Sequence, residues 1–207
     1  MTAMMIAAAS RLVCGPTVQW HANPRARRQR IYFANHSSHF DFVVIWSALP
    51  AQVRTLVRPV AGRDYWEHGM VRRYLAVHVF HAVLIERTTA GASCPPAAAR
   101  ASIARMAAEM GDRMSLIVFP EGTRGIDGEL GDFKSGLYHL SLLRPDAELI
   151  PVFLDNLNRI LPKGERLPVP MLSRVVFGPP LTAAQHEGKQ AFLARARNAL
   201  LELSALQ

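Results

Sequence analysis

The stretch IYFANHSSHFDF, Ile31 to Phe42, sets two histidines, two serines and an aspartate directly behind an apolar run. A histidine with a carboxylate on one ring nitrogen makes a general base. The carboxylate fixes the tautomer and stabilises the imidazolium, while the other nitrogen takes a proton from a hydroxyl. His36 and Asp41 are the candidate pair. On a regular helix, residues five positions apart point about 140° away from each other, so these two meet only across a bend. Ser38 as N-cap supplies one, since SHFD then puts Asp41 at the third helical position and leaves His36 in the turn before it. The same letters also read as an ordinary capping box, and that reading stays open here. A metal set of His36, His39 and Asp41 is the weaker rival, because it lacks a fourth ligand and any recognisable zinc spacing.

A second polar cluster, FPEGTRG from Phe119 to Gly125, follows another apolar run. Proline and glycine shape a tight loop there. Arg124 has the fork that grips a phosphate, Thr123 and the loop amides can add hydrogen bonds, and Glu121 can hold Arg124 or bond a hydroxyl. Taken alone, the loop is a surface turn with an ordinary ion pair; beside His36 it completes a base with a cation.

The elements that must position these groups alternate in type. IYFA is a short buried strand, and FDFVVIWSAL, Phe40 to Leu49, has the all-round apolar character of a buried helix. AVLIER runs out into Glu86 and Arg87, SLIVF into PEGTR, and ELIPVFL into Asp155 and Asn156. Helices are expected from Asp64 through DYWEHGMVRRYLAV, in AAARASIARMAAEM up to Gly111, and from Lys189 to Leu203; RVVFG is a further strand stopped by Pro179 and Pro180. This alternation implies an α/β fold in one domain, a mostly parallel sheet covered by helices. Ligands of such sheets sit beyond the carboxyl ends of the strands, the edge at which His36, Arg87, Glu121 and Arg124 would all emerge.

With 207 residues, half of them apolar, the chain is long enough for one such core and too short for a second full domain. A net charge of +8 predicts anionic partners. Nucleic acid is the least favoured of these, because the basic residues are dispersed and no aromatic platform accompanies them. Cys14 and Cys94 lack redox or zinc spacing and fit a reducing, cytoplasmic setting. MTAMMIAAAS is too short an apolar run to span a bilayer. Membrane access would fall to residues 1–30 as an interfacial segment with a basic face that includes Arg25, Arg27 and Arg28.

Together, NHSSHFD and, some eighty residues later, FPEGTR resemble the glycerolipid acyltransferase family that includes 1-acylglycerol-3-phosphate acyltransferases. AVLIER, LIPVFL and FKSGLYHL resemble further family blocks in the same order, so the likeness runs from about Ile31 to Leu181 within an acyltransferase domain of residues 31–207. The resemblance implies His36 as general base and Asp41 as its partner, with Arg87, Glu121, Gly122, Thr123 and Arg124 holding a glycerol phosphate. The implied reaction carries a fatty acyl group from a coenzyme A or acyl carrier protein thioester to a glycerol hydroxyl. It needs no metal or other cofactor, and it suits a peripheral enzyme at the inner face of the cell membrane. Gly125 departs from the serine that often follows the family's arginine, and His39 lies at a variable position. The same machinery on another lysophospholipid, glycerol 3-phosphate or an amino-acid lipid, a thioesterase, and a membrane-surface binding module are the alternatives.

Overall fold

The computed structural model of the chain describes residues 2–26, 28–38, 40–86, 95–125, 130–157, 172–182 and 187–206. Its centre is strand β2, Arg30–Ala34, whose five residues are all buried. Tyr32 and Ala34 face one hydrophobic cluster while Ile31 and Phe33 face another, as the two-residue period of a strand requires. A strand covered on both faces reads as a continuous apolar run because water meets neither side.

Among the described residues seven strands form the sheet, in the order β1-β7-β6-β2-β5-β3-β4. Besides β2 they are β1, Thr17–Trp20; β3, Val57–Gly62; β4, Val83–Ile85; β5, Ser115–Val118; β6, Glu148–Asp155; and β7, Arg174–Phe177. β2 pairs in parallel with β5 on one side and β6 on the other; β3 pairs in parallel with both β5 and β4. β7 runs antiparallel to β6, with β1 parallel to β7 at the edge. The mostly parallel α/β sheet expected from the alternation is therefore present.

Helices cover both faces. Helix α1, Thr2–Cys14, and α2, Asp41–Ala48, lie on the Tyr32 side. On the Ile31 side lie α6, Pro96–Met110; α7, Gly136–Leu143; and α8, Lys189–Ala205, which buries Phe192, Ala196, Leu200 and Leu203. A single turn, α3, Ala51–Arg54, links α2 to β3. Helix α6 stops at Gly111, whose φ of 46° is easy only for glycine.

Two expectations are corrected, and two strands lie outside the sequence reading. The long helix predicted from Asp64 is broken: α4, Arg63–Trp66, ends before Gly69, where φ is 95°, and α5, Met70–Tyr74, then continues into a π-helical turn, Leu75–Val79. Strands β1 and β3 carry no sequence expectation, and β1 builds part of the basic segment 1–30 into the sheet. Helix α2 begins at Asp41 rather than two residues earlier. Ser38 Oγ accepts from the Phe40 N–H within the turn, but the N-cap of α2 is Phe40, not Ser38.

Candidate active site

β2 and β5 are neighbours, so the loops leaving their carboxyl ends meet although some 85 residues separate them. The first loop carries Asn35 to Phe40. Asn35 keeps the strand pairing going after the main chain has turned away: its Nδ2 donates to the Leu154 carbonyl at 2.9 Å and its Oδ1 accepts the Leu154 N–H at 2.8 Å. The turn is thus clamped onto β6, which fixes where His36 begins. Asn35→Ala leaves two buried main-chain groups unpaired and is expected to cost about 2–4 kcal/mol, a fall of roughly 5–15 °C in Tm for a chain of this size. A thermal melt within about 2 °C of wild type would remove that role.

The imidazole of His36 meets the carboxylate of Asp41, with Nδ1 2.9 Å from Oδ2. An ionised carboxylate only accepts, so Nδ1 carries the proton and Nε2 is left with a lone pair. The same Oδ2 accepts the N–H groups of Ser37 at 2.6 Å and Ser38 at 2.8 Å. Asp41 therefore both closes the turn and orients the imidazole, so one arrangement accommodates the capping and the catalytic readings of the motif. Its side chain is fully buried, whereas the imidazole keeps 15% of its surface open. Lying in the first turn of α2, the carboxylate also faces the positive end of that helix.

The second loop grips the first from both sides. The His36 N–H donates to Glu121 Oε1 at 2.8 Å, and the His36 carbonyl accepts the Gly125 N–H at 2.8 Å. Phe119 stacks on the imidazole with ring centroids 4.2 Å apart. The other oxygen of Glu121 accepts the Gly131 N–H at 2.9 Å, and Glu121 is buried. Of the two roles the sequence left open to it, Glu121 does not pair with Arg124: its carboxylate is taken up in joining the loops, where two main-chain amides supply the donors a buried carboxylate needs.

That leaves Arg124 half-buried with no hydrogen bond or ion pair to a described residue, while Thr123 is exposed. Gly122 has φ 70°, and a Cβ there would lie 2.9 Å from Lys134 Nζ. The glycine thus allows both the turn and the close passage of Lys134. Arg87 and His39 lie outside the described residues. The first of them follows β4 by two positions.

Sequence reasoning missed Asn35, Phe119 and Lys134. Each lies within a quoted motif, but its role depends on a partner outside that motif. Chemically, the assembly offers an oriented base with an available lone pair, next to a loop that presents a guanidinium.

The acyltransferase family model matches residues 16–155, a span that contains both loops. Among curated relatives, the chain is 29% identical over 171 residues to a 1-acyl-sn-glycerol-3-phosphate acyltransferase of Limnanthes douglasii, covering 82% of this chain and 56% of that protein. It is 30% identical over 169 residues to the protein of that name from Limnanthes alba, covering 81% and 55%. The chain thus spans about half the length of these relatives. The structure is similar to that of the 1-acyl-sn-glycerophosphate acyltransferase of Thermotoga maritima, with a TM-score of 0.69 over 99% of this chain and 80% of the other at 18% identity, a likeness of fold. With two thirds of its length matched by the family model and the His36–Asp41 turn inside the match, the chain belongs to the acyltransferase family.

Proposed function

We propose that the site transfers a fatty acyl group from a thioester, acyl-coenzyme A or acyl-carrier protein, to the free hydroxyl of 1-acylglycerol 3-phosphate, giving phosphatidic acid. The single observation that carries this reading is the 2.9 Å contact of His36 with Asp41, made by a partly open imidazole whose main chain is held by the Arg124 loop. The choice of acceptor is supported by the names of the plant relatives.

In the proposed reaction, His36 Nε2 takes the proton of the acceptor hydroxyl as its oxygen attacks the thioester carbonyl. The tetrahedral intermediate collapses by breaking the C–S bond, and the imidazolium returns its proton to the departing thiolate. No acyl-enzyme forms, because the acceptor supplies the nucleophile. Arg124 pairs with the acceptor phosphate, with Gly122 and Thr123 beside it, and Glu121 acts by holding His36 in place. Arg87 is assigned as a second phosphate cation on the sequence resemblance. These steps call on the thioester as co-substrate and on no resident cofactor. A lipid acceptor places the enzyme at a membrane surface, which we take to be the inner face of the cell membrane; among the described residues no helix is long and apolar enough to cross a membrane.

The test is product analysis by mass spectrometry with an acyl thioester and lysophosphatidate. Phosphatidate is the expected product, and thioester loss that is independent of acceptor would instead mark a thioesterase. Arg124→Ala is expected to raise KM for lysophosphatidate roughly tenfold to a hundredfold, as loss of a charged hydrogen bond does, with a smaller change in kcat. An unchanged KM would release Arg124 from phosphate binding.

A further inference from the structure

The segment between β3 and β4 presents apolar side chains that the fold leaves uncovered. All eight residues from Glu67 to Tyr74 are exposed. Met70 is 90% exposed and Val71 73%, and Tyr74 and Val77 follow Met70 at the i+4 and i+7 positions. Within α5 that spacing sets Met70 and Tyr74 on one side with Val71 beside them, and the π-helical turn that follows adds the exposed Val77. Arg72 and Arg73 flank the stripe; Arg72 lies over the ring of Tyr65 at 4.5 Å, while the nearby acidic Glu67 is paired with Arg63 at 3.5 Å.

This lip is rigidly tied to the candidate active site. Trp66, just before it, packs edge-on against Phe42 with centroids 5.3 Å apart, and Phe80, just after it, packs against the same ring at 5.0 Å. Phe42 directly follows Asp41 in α2. Both ends of the lip therefore rest on the residue next to the carboxylate that orients His36.

We propose that the Met70–Val77 lip is a membrane-docking element that enters the interface of an anionic bilayer beside the reaction centre. Methionine and valine enter the acyl boundary, tyrosine sits at headgroup depth, and the two arginines reach the lipid phosphates, the arrangement of an interfacial helix. Charge selects this occupant: Glu67 is paired with Arg63, and Arg72 and Arg73 make no ion pair with a described residue, on a chain of net charge +8. Size argues against a second copy of the chain, because four side chains fall far short of the roughly 20–30 residues that each partner of a stable protein interface contributes. The inference rests on the acyl-transfer reading for its purpose: docking here lets a lysophosphatidate present its headgroup to His36 while its acyl chain stays in the leaflet.

The test is co-sedimentation of the full chain with vesicles of phosphatidylcholine, with and without phosphatidylglycerol. Wild type is expected to bind the mixed vesicles. Met70→Ser with Val71→Ser should weaken that binding roughly tenfold or more, and Arg72→Gln with Arg73→Gln roughly fivefold per charge, only where phosphatidylglycerol is present. Because these side chains are exposed, the melting temperature should hold. The apolar double variant should also retain turnover of a short-chain, water-dispersed lysophosphatidate while losing turnover of the vesicle-bound lipid. Vesicle binding equal to wild type in both variants overturns the proposal. So does an apolar variant that loses only self-association on a sizing column, or only capture by acyl carrier protein. The vesicle measurements need no acyl transfer, so an enzyme that transferred nothing yet bound through the lip would refute the reaction and leave the docking surface standing.

Discussion

His36→Ala is expected to lower the turnover of lysophosphatidate by roughly a hundredfold to ten-thousandfold, the range that a positioned general base supplies. KM should move little, since binding is assigned to the Arg124 loop. Folding should survive the change: the two hydrogen bonds that lock the loops together, to Glu121 and from Gly125, use the main chain of His36 and persist in alanine. The side chain itself contributes the contact to Asp41 and the stack on Phe119. The measurement is steady-state kinetics beside a thermal melt. A folded His36→Ala enzyme within tenfold of the wild-type kcat would move the base elsewhere.

Asp41→Asn should cost kcat on the order of a thousandfold, for a reason that acts through His36. An amide of the same shape presents either a neutral oxygen or an N–H to the three donors now shared by Oδ2. In the first case the imidazolium loses its countercharge; in the second an amide proton faces Nδ1 and the ring is driven to the wrong tautomer. Some stability goes as well, because the site is fully buried. A double-variant comparison separates this mechanism from simple damage. In the proposed mechanism Asp41 serves the reaction through His36, so combining Asp41→Asn with His36→Ala should be little worse in kcat than His36→Ala alone. Losses that multiply would show that the two residues act independently.

Much of this architecture was legible in the sequence because local pattern and tertiary environment agree there. Arg30–Ala34 is a continuous apolar strand that is buried on both faces, Phe192 to Leu203 keeps a helical stripe on the core side, and Gly111 ends α6 in a backbone conformation that suits glycine. β3 escaped notice because VRPVAG puts Arg58 and Pro59 inside a strand. Its pairing with β5 and β4, with Arg58 held by Glu109 of α6 at 2.8 Å, outweighs the unfavourable local composition. The break at Gly69 was hidden for the opposite reason: the periodicity on either side of it is helical, and only the chain's need to bring Trp66 and Phe80 onto one ring reveals the turn.

In the site, the sequence by itself marked His36 and Asp41 as a candidate pair, because a serine-rich turn lets groups five residues apart meet, and left an ordinary capping box open beside it; the structure shows the contact. The sequence also determined the family, through the order and spacing of two short motifs. Tertiary structure alone decided what Glu121 does, that Asn35 splices a side chain into the β6 ladder, and that Arg124 is left with no partner among the described residues. The physical reason is one of range. A carboxylate accepts from whichever donors the fold brings within about 3 Å, and for Glu121 those are main-chain amides of a loop 85 residues away and of a glycine ten residues on, neighbours that appear only once β2 and β5 lie side by side.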